Sequence, residues 1–560
     1  MPHPPHAIRA FRLPAQRAPS FGQAAAAEAA LDRELILHLG ALPLLVPVLE
    51  RLGLREIVNR HCHPDGRTPG ELDVGLVTGV LVLNRLLAPQ PLVHVETWLA
   101  GTALPDLWGL DAPQCNDDRL ARTLDAVSPH REAIWQDLLV AAVRAFGLDL
   151  SRLAYDLTSV AFCGAYDDAD LVRFGYSRDH RPDRKQVELA TTVTLEGGLP
   201  LDYRVLAGNV ADRTTPVENL RRLQRLFAVL PPRPPTAPPP LVVSDRAMLT
   251  LEALAAYEGS GLYYLGPLDP HVGNGAVQAL LASIPAAALA APDTVLAYRP
   301  QRAPAAPAFA AYHGVQRELQ LPHPEPGRSP LRVRALVVWS PGKARVDAQV
   351  RAAHLERLET ALRDLAGKLG RRPYTTVAAV ERRVATLLRR HPARASLTVT
   401  VTMGAAGPLL AWRRQEDTLA AAAALDGRYV LGTNDPGLTA DAQLATSKQR
   451  DVPEKRYALL KGALAVRPVF LHQEERIRSL VCCTMVALLV FALLEWAARR
   501  VGEAASGTVL LARFADLRVL VLYFHDGSRS RRVTGLDPPE AELLQALGWP
   551  PATRYNVVHP

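Results

Sequence analysis

The spacing of hydrophobic positions divides this chain into stretches of different period. From Leu31 to about Phe146 apolar residues recur at helical spacing, as in LPLLVPVLERLGLREIVNRH and the almost wholly apolar LDVGLVTGVLVLNRLLA. Pro64-Asp65-Gly66, Pro89 and Pro105 punctuate the helices, and the pattern predicts a helical N-terminal domain over 31–148. The chain then turns strand-like, and a short run places Asp156 between Tyr155 and Leu157. Val187, Leu189, Thr191, Val193 and Leu195 alternate with Glu188, Ala190, Thr192 and Thr194. Gly197-Gly198 turns the chain, and Leu199, Leu201, Tyr203 and Val205 resume the alternation, which reads as a β-hairpin. Thr214 to Leu230 has helical spacing. A Pro-rich linker then delivers Leu241-Val242-Val243-Ser244, a continuous apolar run of the kind found in central strands, which ends at Asp245.

Residues 268–425 break this pattern with Ala/Pro-rich linkers, strand-like runs and a long charged helical stretch, and read as an insertion subdomain. The helical stretch fits a solvated surface hairpin and a DNA-touching subdomain equally. The core resumes over 426–500 with the strand-like DGRYVLGT, then a helix opened by Pro453, whose missing N–H costs nothing in the first turn. The apolar run Val481 to Leu494 is shorter than the about 20 residues of a bilayer span, so it reads as a buried helix. Residues 501–560 form a C-terminal extension, and the Pro- and Ala-rich residues 1–30 read as a disordered leader without a signal-peptide core. The elements together predict an α/β chain: 149–267 and 426–500 form one domain, interrupted by the insertion and preceded by an all-α domain.

Composition adds modest constraints. Of the 560 residues 48% are hydrophobic and 21% charged, which calls for globular domains. The 64 Lys and Arg against 56 Asp and Glu give +8, a mild lean toward polyanionic partners. Cys62, Cys115, Cys163, Cys482 and Cys483 form no CxxC pair, and their odd number argues against a disulfide framework and for a reducing cytoplasm. His61-Cys62-His63 lacks a partner at zinc spacing and reads as a polar loop.

The chemistry concentrates around three carboxylates. Asp156 and Asp245 sit on strands of one predicted sheet. Glu454 stands in the first turn of a later helix, with Lys461 two turns on along the same face. Either aspartate alone is also what a helix cap or strand edge looks like. Between them lies a loop crowded with Arg178, His180, Arg181, Arg184 and Lys185, suited to holding a polyanion near a cation and suited equally to a solvated turn. Arg450, three residues and one more before Glu454, and the six residues between Glu454 and Lys461 complete a spacing. With GYSRDHRPDRKQ, GNVADRTT, VVSDRAMLT, DGRYVLGTND and LAVRPVF in order, the chain resembles the DDE transposases of bacterial insertion sequences. The similarity is to the subgroup with a Tyr-x2-Arg-x3-Glu-x6-Lys signature, and it spans roughly 150–490. The Tyr position holds Ser447.

The resemblance implies a ribonuclease-H-like mixed sheet flanked by helices, with Asp156, Asp245 and Glu454 as catalytic residues holding two Mg²⁺ or Mn²⁺ ions. Hard cations prefer such oxygen ligands, and no His/Cys set competes. It further implies contacts to DNA from Arg450, Lys461, Arg178, Arg181, Lys185 and Arg246. The partners it implies are terminal inverted repeats and target DNA, bound by a homodimer, with no membrane and no nucleotide cofactor. A copy that binds without cutting, and a ribonuclease-H-like nuclease without strand transfer, are the competing readings.

Overall fold

The structure is a computed structural model, which describes residues 31–66, 73–162, 164, 166–167, 169–298, 311–464 and 471–556. The leader 1–30, Cys163 and all of LAVRPVF after Leu464 lie outside the described residues. In chain order the described strands are β1 (Leu31–His38), β2 (Arg152–Ala161), β3 (Gln186–Thr194), β4 (Pro200–Ala207), β5 (Leu241–Ser244) and β6 (Tyr263–Pro267). They continue as β7 (His313–Leu321), β8 (Leu331–Trp339), β9 (Leu397–Gly404), β10 (Gly407–Arg414), β11 (Arg428–Thr433), β12 (Arg518–Phe524) and β13 (Arg529–Thr534). The chain divides into two compact units, residues 1–146 with 462–560, and residues 147–461.

The first unit is mainly helical. Helices Leu42–Leu52, Leu54–Cys62, Val74–Leu87, Asp117–Val127 and Arg131–Phe146 follow the apolar periodicity. Asp73 caps the third of these by accepting from Leu76 N–H, and Arg55 and Asn59 hold its carboxylate. The all-α expectation fails at its start. Residues Leu31–His38 form β1, which pairs antiparallel with β12, and β13 completes a three-stranded sheet. LDRELILH fits either period, and a partner strand from the far end of the chain decides it. The expected C-terminal extension therefore folds into this unit.

The run Val481 to Leu494 is part of a longer helix, Glu474–Arg500, which belongs to the first unit and not, as the sequence suggested, to the catalytic domain. At 27 residues it is long and apolar enough to cross a membrane by length and composition, but its apolar window is 94% buried. Burial, and not length, marks it as a core helix. Arg131–Glu475 and Arg476–Asp125 ion pairs fix its first turn.

The second unit is built on an eight-stranded mixed sheet in the order β4-β3-β2-β5-β6-β11-β8-β7, with helices packed on it. β2 runs parallel to β5, and β5 to β6; the other pairs are antiparallel. Parallel neighbours need crossovers, and the helices Pro216–Val229 and Leu251–Tyr257 supply them. β7 and β8, assigned by sequence to the insertion, extend this sheet. Only the stretch after β8 leaves it. There the helices Pro341–Ala366 and Val377–Leu388 and the β9–β10 hairpin close around a separate core that includes Leu358, Leu362, Val380, Val384 and Leu397.

Candidate active site

Asp156 is the fifth residue of β2, in the middle of the sheet. The parallel register between β2 and β5 runs Ala154 to Val243 and Tyr155 to Ser244. Asp245 keeps an extended backbone, φ −74° and ψ 162°, so the next step of that register sets it beside Asp156. Neighbouring strands lie about 4.8 Å apart, which places the two carboxylates side by side. Side chains alternate along a strand, so Asp156 shares a face with Ala154, and Asp245 with Val243. Ala154 and Val243 belong to one buried cluster with Leu444, and Val452 packs against it. Both aspartates thus face the side of the sheet that carries the C-terminal helices of the unit.

The helix Val452–Lys461 brings the third carboxylate there. Glu454 lies exposed in its first turn. One turn on, the buried Tyr457 hydroxyl donates to the backbone carbonyl of Asp156 itself, at 2.5 Å. Arg456 donates to the carbonyls of Gly198, at 3.0 Å, and Gly197 in the β3–β4 turn. Lys461 closes the helix with a 2.7 Å ion pair to Asp179. Three side chains from two consecutive turns therefore fix the helix, and Glu454 with it, relative to β2.

The electrostatics agree with this convergence. Burial pushes the Asp156 carboxyl up to about 7; the negative charges of Asp245 and Glu454 add to the rise, while the Leu157 N–H and Arg178 oppose it. Among the described residues no three His, Cys, Asp or Glu side chains close on a single point as a formed metal centre. Asp245 is instead met by Arg450 at 3.4 Å. A cavity of about 560 Å³ opens from Asp245, lined by Arg246, Lys343, Tyr429, Ser447, Lys448 and Arg450 among others. Ser447 is itself buried, at the C-terminal end of the helix Ala440–Ser447. Lys448 lies over the rings of Tyr312 and Tyr429, at 4.6 and 5.6 Å.

The cationic loop differs from expectation. Arg178 is held between Glu188, at 2.8 Å, and Asp212, at 2.6 Å. Arg181 pairs with Asp183, and Lys185 with Asp167 and the Tyr166 carbonyl. Arg246 reaches Asp269 at 3.7 Å. The loop is therefore neutralised by its own surroundings and does not present a row of open cations. Glu188 was legible only as the polar half of an alternating strand. In the fold β3 is covered on both faces, Glu188 is 3% exposed, and burial pushes its carboxyl up to about 7 against the pull of Arg178. Tyr457 carried a signal, three residues after Glu454 on one helix face, but nothing local named Asp156 as its partner.

The family model described as "Domain of unknown function (DUF4277)" matches residues 35–139, within the helical first unit. No curated protein matches the chain. Among solved structures, the chain is similar to one described as a piggyBac transposase synaptic complex with hairpin DNA. The likeness covers 86% of this chain and 82% of that one at 6% identity, with a TM-score of 0.38.

Proposed function

We propose that this protein is a DDE-type transposase, which cuts DNA at the ends of a mobile element and joins the freed ends to target DNA. The observation that carries this reading is Asp156 on β2 beside Asp245 just past the end of the adjacent β5, with Glu454 on a helix bonded to the Asp156 backbone. The ordered motifs around all three, and a mixed sheet flanked by helices as the ribonuclease-H-like reading expects, support it.

The donor chemistry fits a pair of hard divalent cations. All three groups are carboxylates, and the burial and neighbouring negative charge that raise Asp156 are what such cations offset. Asp156, Asp245 and Glu454 would hold Mg²⁺ or Mn²⁺ there. When bound, such ions neutralise charge on the attacked phosphate and lower the pKa of an attacking water or hydroxyl. The chain's own residues do the positioning. Tyr457 and Arg456 fix the helix that carries Glu454, and Lys461 sits two turns beyond it. Arg450, now on Asp245, is placed to exchange that carboxylate for a phosphate. In the first reaction water forms a bond to phosphorus and the bond to the 3′ oxygen breaks, which leaves a 3′-hydroxyl on the element. In the second that hydroxyl attacks a target phosphodiester, one P–O bond forming as another breaks, with no outside energy source. A homodimer on paired ends, in the bacterial cytoplasm, completes the proposal.

The ion pair of Arg450 with Asp245, together with Ser447 at the Tyr position, favours one second reading: a copy that binds DNA without cutting it. Strand joining tests the proposal against both this and a simple nuclease. A duplex bearing a terminal sequence from beside the gene, pre-cut to expose its 3′-hydroxyl, is incubated with a supercoiled plasmid and Mg²⁺. The transposase reading expects plasmid covalently joined to the duplex. Plasmid that is nicked but never joined would support a nuclease, and binding without either product would support the non-cutting copy.

A further inference from the structure

The stretch 341–414, which folds around its own core, holds fifteen Lys and Arg against five Asp and Glu. That excess of ten is larger than the +8 of the whole chain, so everything outside it nets to −2. Part of the excess is spent internally, in Lys343–Asp347, Arg351–Asp426, Arg363–Glu356 and Arg414–Glu359 pairs. Most of the rest collects on and around the helix Val377–Leu388.

Val380 and Val384 face the subdomain core. At about 100° per residue Arg382 falls on the opposite side and Arg383 on its flank; the helix ends at Leu388, and Arg389 and Arg390 repeat the pair just beyond it, about 10 Å further along. All four are exposed, and none of the four is ion-paired among the described residues. Arg371 and Arg372 before the helix and Arg394 after it are exposed as well. The contrast with the loop 178–185 decides the matter. There each pairing with a carboxylate cancels most of the field a phosphate would feel. Here the charge is left open to solvent, along the outer side of one helix and the turn that ends it, in a chain that is otherwise slightly acidic.

We propose that this arginine ridge is a DNA-binding surface separate from the carboxylate site, which grips the phosphate backbone of duplex DNA without reading its bases. The choice of DNA among polyanions rests on the transposase reading above. Guanidinium contacts to phosphates of this kind position a duplex and carry no sequence information.

The salt dependence of binding tests it. The full chain and its R382Q/R383Q/R389Q/R390Q variant are titrated onto a fluorescent duplex of arbitrary sequence over a fourfold range of KCl. Each phosphate contact contributes about 0.9 to the slope of log affinity against log salt, so four lost contacts lower the slope by up to about 3.6. Across that range the wild type then loses on the order of a hundredfold more affinity than the variant. The matching four-Lys variant keeps the charges and the wild-type slope. A Gln variant with the wild-type slope, or a Lys variant as deficient as the Gln one, overturns the proposal, as does a larger loss of slope on an RNA duplex than on DNA. A circular dichroism melt confirms that both variants fold. Asp156→Asn run alongside separates the two claims. If it still cuts DNA the carboxylate reading fails, and the salt slope continues to judge the ridge alone.

Discussion

Asp156 ties the site's stability to pH. Its folded pKa of about 7 lies above the usual carboxylate range, so the folded chain holds a proton there that the unfolded chain gives up. Stability from this group is therefore present at low pH and is lost as pH rises from about 4 to about 7. Asp156→Asn is expected to melt above wild type at pH 8, and calorimetry should show that advantage shrinking toward pH 4. On the proposed function Mg²⁺ raises the wild-type melting point and leaves the variant's nearly unchanged. Tyr457→Phe removes the hydroxyl that holds Asp156's carbonyl, at a cost of about 1 kcal/mol. Its cleavage rate is expected to fall while DNA affinity stays within about twofold, measured on one fragment; equal loss of both would leave Tyr457 a packing residue. The carboxylates were legible as a set only through the ordered motifs around them, Asp245 alone being also an acid at the end of an apolar run. The pairing of Arg178 and Lys185 was not, since Glu188, Asp212 and Asp167 reach them only through the fold.

At the scale of elements, the site depends on β5 and β6 lying close. A Cβ added at Gly266 of β6 would stand 2.3 Å from the Ser244 carbonyl oxygen, on the residue that leads into Asp245. Backbone cannot yield as a side chain can, so Gly266→Ala is expected to cost about 1–3 kcal/mol and to shift Asp245. A chemical melt gives the first, and cleavage lost beyond what that melt accounts for gives the second. The hairpin β3–β4, the strand β5 and the helix Val452–Lys461 were all readable from period, Gly-Gly and Pro, because their own residues specify them. β1 and the first-unit placement of Glu474–Arg500 were not. Local pattern fixed neither the partner strand of β1 nor the neighbours that bury the long helix.

For the whole molecule, the division of charge is the main result. The basic loop before β3 is the most conspicuous cationic run in the sequence, whereas the fold pairs that loop with carboxylates and leaves Arg382, Arg383, Arg389 and Arg390 exposed. The proposed carboxylate chemistry and the proposed ridge are thus distinct functions within one chain, and substitutions should separate them. Glu454→Gln is expected to remove cutting and spare binding, and the ridge variant to weaken binding in a salt-dependent way. The most direct test of the central claim is cleavage of a duplex carrying a terminal sequence from beside the gene, with Mg²⁺, for wild type and Glu454→Gln side by side. The account predicts that wild type cuts at the terminus, that Glu454→Gln does not, and that both bind the fragment alike. Equal cutting by the two would contradict it, because Glu454 would then have no part in the chemistry.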